Sequence, residues 1–221
     1  YAFRGATNVR STSRADEGGL DGGFAFTLGK SVTGDLGASV ISTITDAQGM
    51  LDTGSGQTFA GFDATAYQRI ENRVPAADLH GHLGLGPVTF VGDYIQTFHR
   101  FRRQDMAFRG QGASVSAGNI EMDYGVNNLF MNRPATFALS YSQTSQASGF
   151  NVPKHRYMAA VQVPVVRDTL VTLGYRYDLF YSKSATGGPL PSGSSTPDSS
   201  YNSNRLGQSS QAVTAQLDIY F

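Results

Sequence analysis

Apolar and polar side chains alternate almost without a break along the final segment of the chain. Val213, Ala215, Leu217, Ile219 and Phe221 fall on one side and Thr214, Gln216, Asp218 and Tyr220 on the other, the period-two signature of a strand with one apolar face. The same period recurs upstream. Thr169 to Ser182 sets Val171, Leu173, Tyr175, Tyr177, Leu179 and Tyr181 against Thr172, Arg176 and Asp178. His155 to Val165 presents Tyr157, Ala159, Val161 and Val163, and Ala135 to Thr144 presents Ala135, Phe137, Leu139 and Tyr141. Gly86-Pro87 separates a strand carrying Leu79, Leu83 and Leu85 from one carrying Phe90, Tyr94 and Phe98. Ser114 to Val126 alternates at Ile120, Met122 and Tyr124, while Val115 and Ala117 fall out of phase, which predicts a bulge near Gly118. Gly23 to Lys30 carries Phe24, Phe26 and Leu28, and Leu36 to Asp46 carries Ala38, Val40 and Ile44, with Val32 to Asp35 read as the tight turn between them. Tyr1 to Val9, with Tyr1, Phe3 and Gly5 alternating with Arg4 and Ala6, reads as one more strand.

The connections alternate in length. Val166-Arg167-Asp168 is a tight turn, whereas Lys183 to Arg205 is long and rich in Gly, Ser and Pro. Transmembrane β-barrels show this asymmetry, with short periplasmic turns and long extracellular loops. If the last strand descends, Ala76 to Gly86 descends and Leu36 to Asp46 ascends, so residues 47–75 are one long loop or an excursion into the lumen. Residues 58–70, with Phe59, Phe62 and Tyr67, have some strand character, and a wall strand there would make the count odd. The expected fold is therefore all-β: an antiparallel transmembrane outer-membrane β-barrel with about ten strands in this chain. A soluble sandwich also alternates, but a strand ending on Phe221 itself resembles the C-terminal signature read by the barrel-insertion machinery. Leu217, Ile219 and Phe221 carry that signature.

Composition agrees with strands and narrows the chemistry. The chain has 26 Gly, 11 Tyr and 14 Phe, only 15% charged residues and no Trp, so Tyr and Phe must supply any aromatic girdle. Lysine plus arginine equals aspartate plus glutamate, giving a net charge of +0 and no pointer to nucleic acid. With no Cys there is no disulfide framework or thiolate chemistry. No run of about 18 apolar residues is present, which excludes a transmembrane helix and leaves a barrel untouched, because only alternate strand residues face lipid.

Strand parity then selects candidate residues. His80, His82, Asp93, Glu121, Asp123, Arg176 and Asp218 fall on the inward side as lumen-lining candidates of both signs. They equally suit structural ion pairs within a wall. His80 and His82 share a face and invite a metal, but nothing fixes further ligands beside them; no metal and no cofactor is expected. Arg100, Arg102, Arg103, Arg109, Lys154 and Arg156 form a basic extracellular rim, which either steers anionic solutes or binds the phosphates of lipopolysaccharide. No Gly-x-Ser-x-Gly elbow appears and no Ser, His and acid are set up as a triad, so an enzyme is not expected.

Three segments add a resemblance: Pro134 to Tyr141, Val152 to Ala160 and Leu83 to Phe90. With the opening Tyr1 to Gly5 and the terminal strand, they resemble the siderophore-porin family typified by the legiobactin receptor. The resemblance implies passage of an iron-siderophore through the outer membrane without the plug of energy-coupled transporters. Family members are longer, so it also implies that this chain matches their C-terminal portion, part of a larger barrel of about 16 strands. The resulting expectation is an outer-membrane porin for small polar solutes, embedded in outer-membrane lipid and lipopolysaccharide. The alternative is a structural or adhesive barrel that transports nothing.

Overall fold

The computed structural model describes residues 2–12, 15–44, 73–103, 106–130, 133–150, 152–166, 168–185, 187–188 and 205–220. The side chains of residues 2–12, 15–18, 130 and 187–188 lie outside that description, as do Phe221 and residues 45–72. Among the described residues no α-helix occurs, and none could cross a membrane as a helix, which says nothing about strands.

Ten strands build one antiparallel sheet: β1 (Ala2–Thr12), β2 (Ala15–Leu28), β3 (Val32–Ile41), β4 (Ala76–Leu85), β5 (Val88–Thr97), β8 (Ser116–Phe130), β9 (Arg133–Ser145), β10 (His155–Val166), β11 (Thr169–Leu179) and β13 (Ser209–Ile219). Three two-residue strands, β6 (Ala107–Phe108), β7 (Gln111–Gly112) and β12 (Gly187–Gly188), form a small separate sheet in the order β12-β6-β7. Every strand of the large sheet pairs with its neighbour in sequence once these short ones are set aside, a continuous meander. The sheet is open, with β1 and β13 as its edges. The all-β, antiparallel part of the expected fold is thus present.

From β2 onward, connections segregate by end. The turns after β2, β4, β8 and β10 are short and lie at one end of the sheet, hereafter the turn end. Gly29 (φ 65), Gly86 (φ 60) and Asp168 (φ 58) supply the left-handed residues that three of these turns need. The longer connections after β3, β5, β9 and β11 lie at the other, the loop end. β3 pairs directly with β4, Ile41 opposite Ala76, so residues 42–75 leave and return between adjacent strands at the loop end. Residues 58–70, the possible wall strand, lie outside the described residues.

Register fixes which side chains share a face. Leu83, Phe90, Met122, Leu139, Ala159, Tyr175 and Val213 stand in one rung across β4, β5, β8, β9, β10, β11 and β13. The next rung toward the loop end places Tyr141, Tyr157 and Tyr177 side by side, with ring centroids 5.1 and 6.4 Å apart. In the ladders that run from the β2–β3 pair to β13, between Gly19 and Ile219, this face carries no Asp, Glu, Lys or Arg except Arg133 at the irregular Phe130 pairing; Asp16, in the β1–β2 ladder, shares its parity. It is also uncovered: Leu139 is 52% exposed, Leu173 51% and Val213 81%. Burying a leucine fully contributes roughly 1.5–3 kcal/mol, so each half-exposed one forfeits about 1 kcal/mol in water. A face of this extent requires an apolar cover.

Buried apolar residues gather at the loop end instead. Val74, Phe101, Met106 and Ala113 form one cluster, with Ile44, Phe108, Val115 and Phe150 packed against it. Ala147, Tyr181 and Ala185 form a second. Backbone bonds tie the loops together, Phe101 N–H to Ala113 O at 2.8 Å and Ala113 N–H to Met106 O at 2.9 Å. The Tyr181 hydroxyl accepts from Ala147 N–H at 3.1 Å and meets the Thr144 hydroxyl at 2.7 Å. The turn joining β6 to β7 holds Arg109 (φ 50) and Gly110 (φ 77), both left-handed as a two-residue hairpin turn requires.

Three local expectations are corrected. The turn between β2 and β3 is residues 29–31, not Val32 to Asp35, which are paired in β3; Gly29 provides the turn conformation and Val32, Gly34 and Leu36 simply continue the alternation. No bulge lies at Gly118. The ladder from Ser116 to Val126 is continuous, Ala117 sits on the polar face opposite Ile95, and the irregularity falls between Val126 and Phe130. Ile44 and Val115 are not strand residues but part of the loop-end core.

Candidate functional site

The face opposite the apolar one collects the charges, because parity sends every second residue there. All seven lumen-lining candidates sit on this face: His80 and His82 on β4, Asp93 on β5, Glu121 and Asp123 on β8, Arg176 on β11 and Asp218 on β13. Asp21, Asp35, Asp78, Arg156 and Asp178 join them. One rung runs Gly37, His80, Asp93, Asn119, Ser142, Arg156, Asp178, Ser210 across β3 to β13. The charges divide along it. From β2 to β8 the charged residues of this face whose side chains are described are carboxylates with the two histidines; its arginines with described side chains stand on β10 and β11, and Arg4 and Arg10 of β1 share its register.

Neighbouring groups satisfy one another. His80 Nδ1 lies 2.6 Å from Asp78 Oδ2, two residues back on the same strand, and His82 Nδ1 lies 2.9 Å from Asp35 Oδ2, its directly opposed partner on β3. The His80 ring covers Gly37, where a Cβ would collide with it. Each imidazole is thus tied to its own carboxylate, and among the described residues no group of three or more His, Asp or Glu is arranged to hold a metal. Asp178 is buried and receives Arg156 through Nε at 2.7 Å and Nη2 at 3.1 Å, a two-pronged, charge-assisted pair. Arg176 Nε stands 3.3 Å from Asp178 Oδ2, close enough for attraction but without hydrogen-bond alignment.

That pairing corrects the basic rim. Arg156 is the second residue of β10 and shares the parity of Asp178, so it points onto the polar face and is neutralised there. The other five rim residues lie in loop-end connections. Arg100, Arg102, Arg103 and Arg109 stand between β5 and β8, with Arg100 Nη1 donating to Gln111 Oε1 at 3.0 Å. Lys154 immediately precedes β10. Sequence reasoning passed over Arg73, Lys183 and Arg205, which belong to the same end. Among the described residues of the loop-end connections there is no carboxylate at all. Of the terminal signature, Leu217 and Ile219 lie exposed on the apolar face, and Phe221 is outside the described residues.

An open cleft of about 670 Å³ lies at this end, above β9, β10, β11 and β13. Its floor includes Gln143, His155, Leu179 and Ser209, one rung of the apolar face in continuous register. Arg109 and Lys154 stand in its walls with Phe108, Phe180 and Tyr181. Nothing in the alternation of single strands announces this cleft; it exists because three separate connections converge.

No protein-family model matches the chain. It is similar over its whole length to the UPF0422 proteins of Legionella pneumophila strains Lens (32% identical over 228 residues) and Paris (32% over 225). The UPF0422 protein of Coxiella burnetii strain RSA 493 is 33% identical over 225 residues. The chain spans 41% of the length of the two Legionella proteins and 44% of the Coxiella one. These relatives correct the resemblance drawn from the sequence, since they are named UPF0422 proteins and not siderophore receptors. The segments that carried it are short alternating strand pieces, one of them spanning the Gly86-Pro87 turn, a pattern that any exposed antiparallel meander needs and that identifies no transported molecule.

Proposed function

We propose that the chain forms wall strands of a transmembrane antiparallel β-barrel in the outer membrane of a Gram-negative bacterium, its polar face lining a passage for small polar solutes. One observation carries the reading: across nine strands one face is apolar and uncovered, with Asp, Glu, Lys and Arg absent from its central rungs, while the opposite face holds nearly all the strand charges. In lipid the uncovered side chains lose contact with water, and the backbone ladders satisfy the polar groups that hydrocarbon cannot. The tyrosine rung near the loop end suits a headgroup-level girdle. Carboxylates outnumber arginines on the polar face, so the passage favours cations.

Planar-bilayer recording of the folded protein tests this. Stepwise conductance with cation preference is expected, and Asp93→Asn/Glu121→Gln/Asp123→Asn should lower the cation-to-anion permeability ratio. Insertion without any conductance would favour the structural or adhesive barrel instead. A protein that stays folded and monomeric in plain buffer, with no affinity for bilayers, would remove both.

A further inference from the structure

The cleft stands where an amphiphile would meet the protein. Its floor rung, Gln143, His155, Leu179 and Ser209, belongs to the apolar face and lies two residues beyond the Tyr141, Tyr157, Tyr177 row. Two residues of strand rise about 7 Å, so the cleft opens just above the aromatic row, at the border of the uncovered face. Tyr141 links the two levels, its hydroxyl 2.8 Å from His155 Nδ1. Arg109 and Lys154 are the cations of the cleft, no carboxylate lines it, and neither forms an ion pair among the described residues. Arg109 packs its guanidinium over the Phe108 ring at 5.6 Å, which holds the charge in place.

We propose that this cleft seats the phosphorylated headgroup of an outer-leaflet glycolipid, with acyl chains running down the apolar face past the tyrosine row. Arg109 and Lys154 meet the phosphate, and the amides and hydroxyls of Gln143 and Ser209 meet the sugar hydroxyls. Charge complementarity selects an anion, and continuity with the apolar face selects an anion that carries hydrocarbon. The inference rests on the membrane reading above and adds to it a located lipid site.

The protein, folded into phosphatidylcholine bicelles containing either bisphosphorylated or fully dephosphorylated lipid A, is transferred to mild detergent, and retained lipid is counted by native mass spectrometry. Retention of the bisphosphorylated form is expected. It should fall about tenfold or more in Arg109→Gln/Lys154→Gln. It should survive in the charge-keeping Arg109→Lys/Lys154→Arg and in Arg133→Gln at the turn end. Resistance to heat-induced mobility shift reports whether each variant has folded. Equal retention of both lipid forms overturns the proposal, as does undiminished retention in the neutral double variant or its loss in the charge-keeping one. Complete displacement by soluble glucosamine phosphate, at a concentration where inorganic phosphate does nothing, also overturns it and assigns the cleft to a free phosphorylated solute. A protein that never enters bilayers fails the membrane reading itself. One that inserts and conducts but does not discriminate between the lipids fails only this inference.

Discussion

Leu139→Arg measures directly what covers the apolar face. Leu139 is the midpoint of β9, flanked in register by Met122 and Ala159. Gln143 lies on the same strand and face, four residues nearer the loop end. Four residues rise about 13 Å along the strand, and a tilt of about 40° leaves about 10 Å along a membrane normal. An apolar band about 25 Å tall then has Leu139 near its middle and Gln143 near its border. Arginine at the middle is expected to destabilise by about 2–4 kcal/mol and at the border by about 0–1 kcal/mol. The former is a factor of roughly 30 to 700 in the folding equilibrium. In water both sites, already half exposed, would shift stability by no more than about 0.5 kcal/mol. Guanidinium unfolding in phospholipid vesicles, followed by far-ultraviolet circular dichroism because the chain has no Trp, reads the difference. Ser140→Arg, one residue away and facing Glu121 on the polar side, is the control and should change little. Equal small effects for Leu139→Arg and Gln143→Arg would refute the argument that hydrocarbon covers this face.

Further predictions concern the packed parts. Asp178→Asn leaves Arg156 and Arg176 facing a neutral amide and should destabilise by about 2 kcal/mol, reduced from the usual range because both arginines are partly exposed; an unchanged unfolding midpoint would contradict it. Burial pushes the Tyr181 phenol above the ordinary value of 10.0, against the hydrogen bonds from Thr144 and Ala147 that favour its ionised form. The folded loops therefore favour the neutral phenol, so their stability is full below pH 10.0 and declines as pH rises toward the higher folded value. Tyr181→Phe should abolish that alkaline decline as followed by limited proteolysis of the loops, and a decline persisting in the variant would assign it to another group. Gly37→Ala forces a methyl group into the His80 ring and should destabilise by about 1–3 kcal/mol. Gly37→Ala/His80→Ala should recover most of that in the same unfolding assay, and a single variant as stable as the parent would show that the ring yields freely.

The ten strands were legible because period-two alternation depends only on which residues face the same way, and the middle of each long described strand has one side that is apolar or glycine. Their joints were less so. The β2–β3 turn was misplaced because Val32 to Asp35 contains a glycine and an aspartate that read as turn residues, although the phase of Val32, Gly34 and Leu36 already required a strand. Arg156 was assigned to the rim from its closeness to the loop, although its even spacing from Met158 and Ala160 puts it on the polar side. Ile44 read as an in-phase strand residue and Val115 as a misphased one, although both belong to the loop-end core, since hydrophobic side chains that pack between connections obey no period. The cleft depends on tertiary convergence of residues from three connections and the ends of four long strands, and local spacing contains no trace of it.

Burial in this chain runs opposite to the ordinary plan, and the two ends of that inversion explain each other. The described loop connections bury Met106, Phe101 and Tyr181 as a water-facing domain does, whereas the strands leave Leu139, Leu173 and Val213 uncovered. Loops in water need their own core, because the strands turn their apolar sides elsewhere. On the membrane reading proposed above the strands need none, because hydrocarbon would supply the cover and the ladders supply the order. The same logic applies to β1 and β13, whose outer backbone groups have no partner strand in the described sheet. Each unpaired amide or carbonyl costs several kcal/mol in hydrocarbon, so the membrane reading requires further strands on those edges, from the same polypeptide or from a second copy. Water would satisfy the same groups, and for that reason edge closure and lipid exposure stand or fall together.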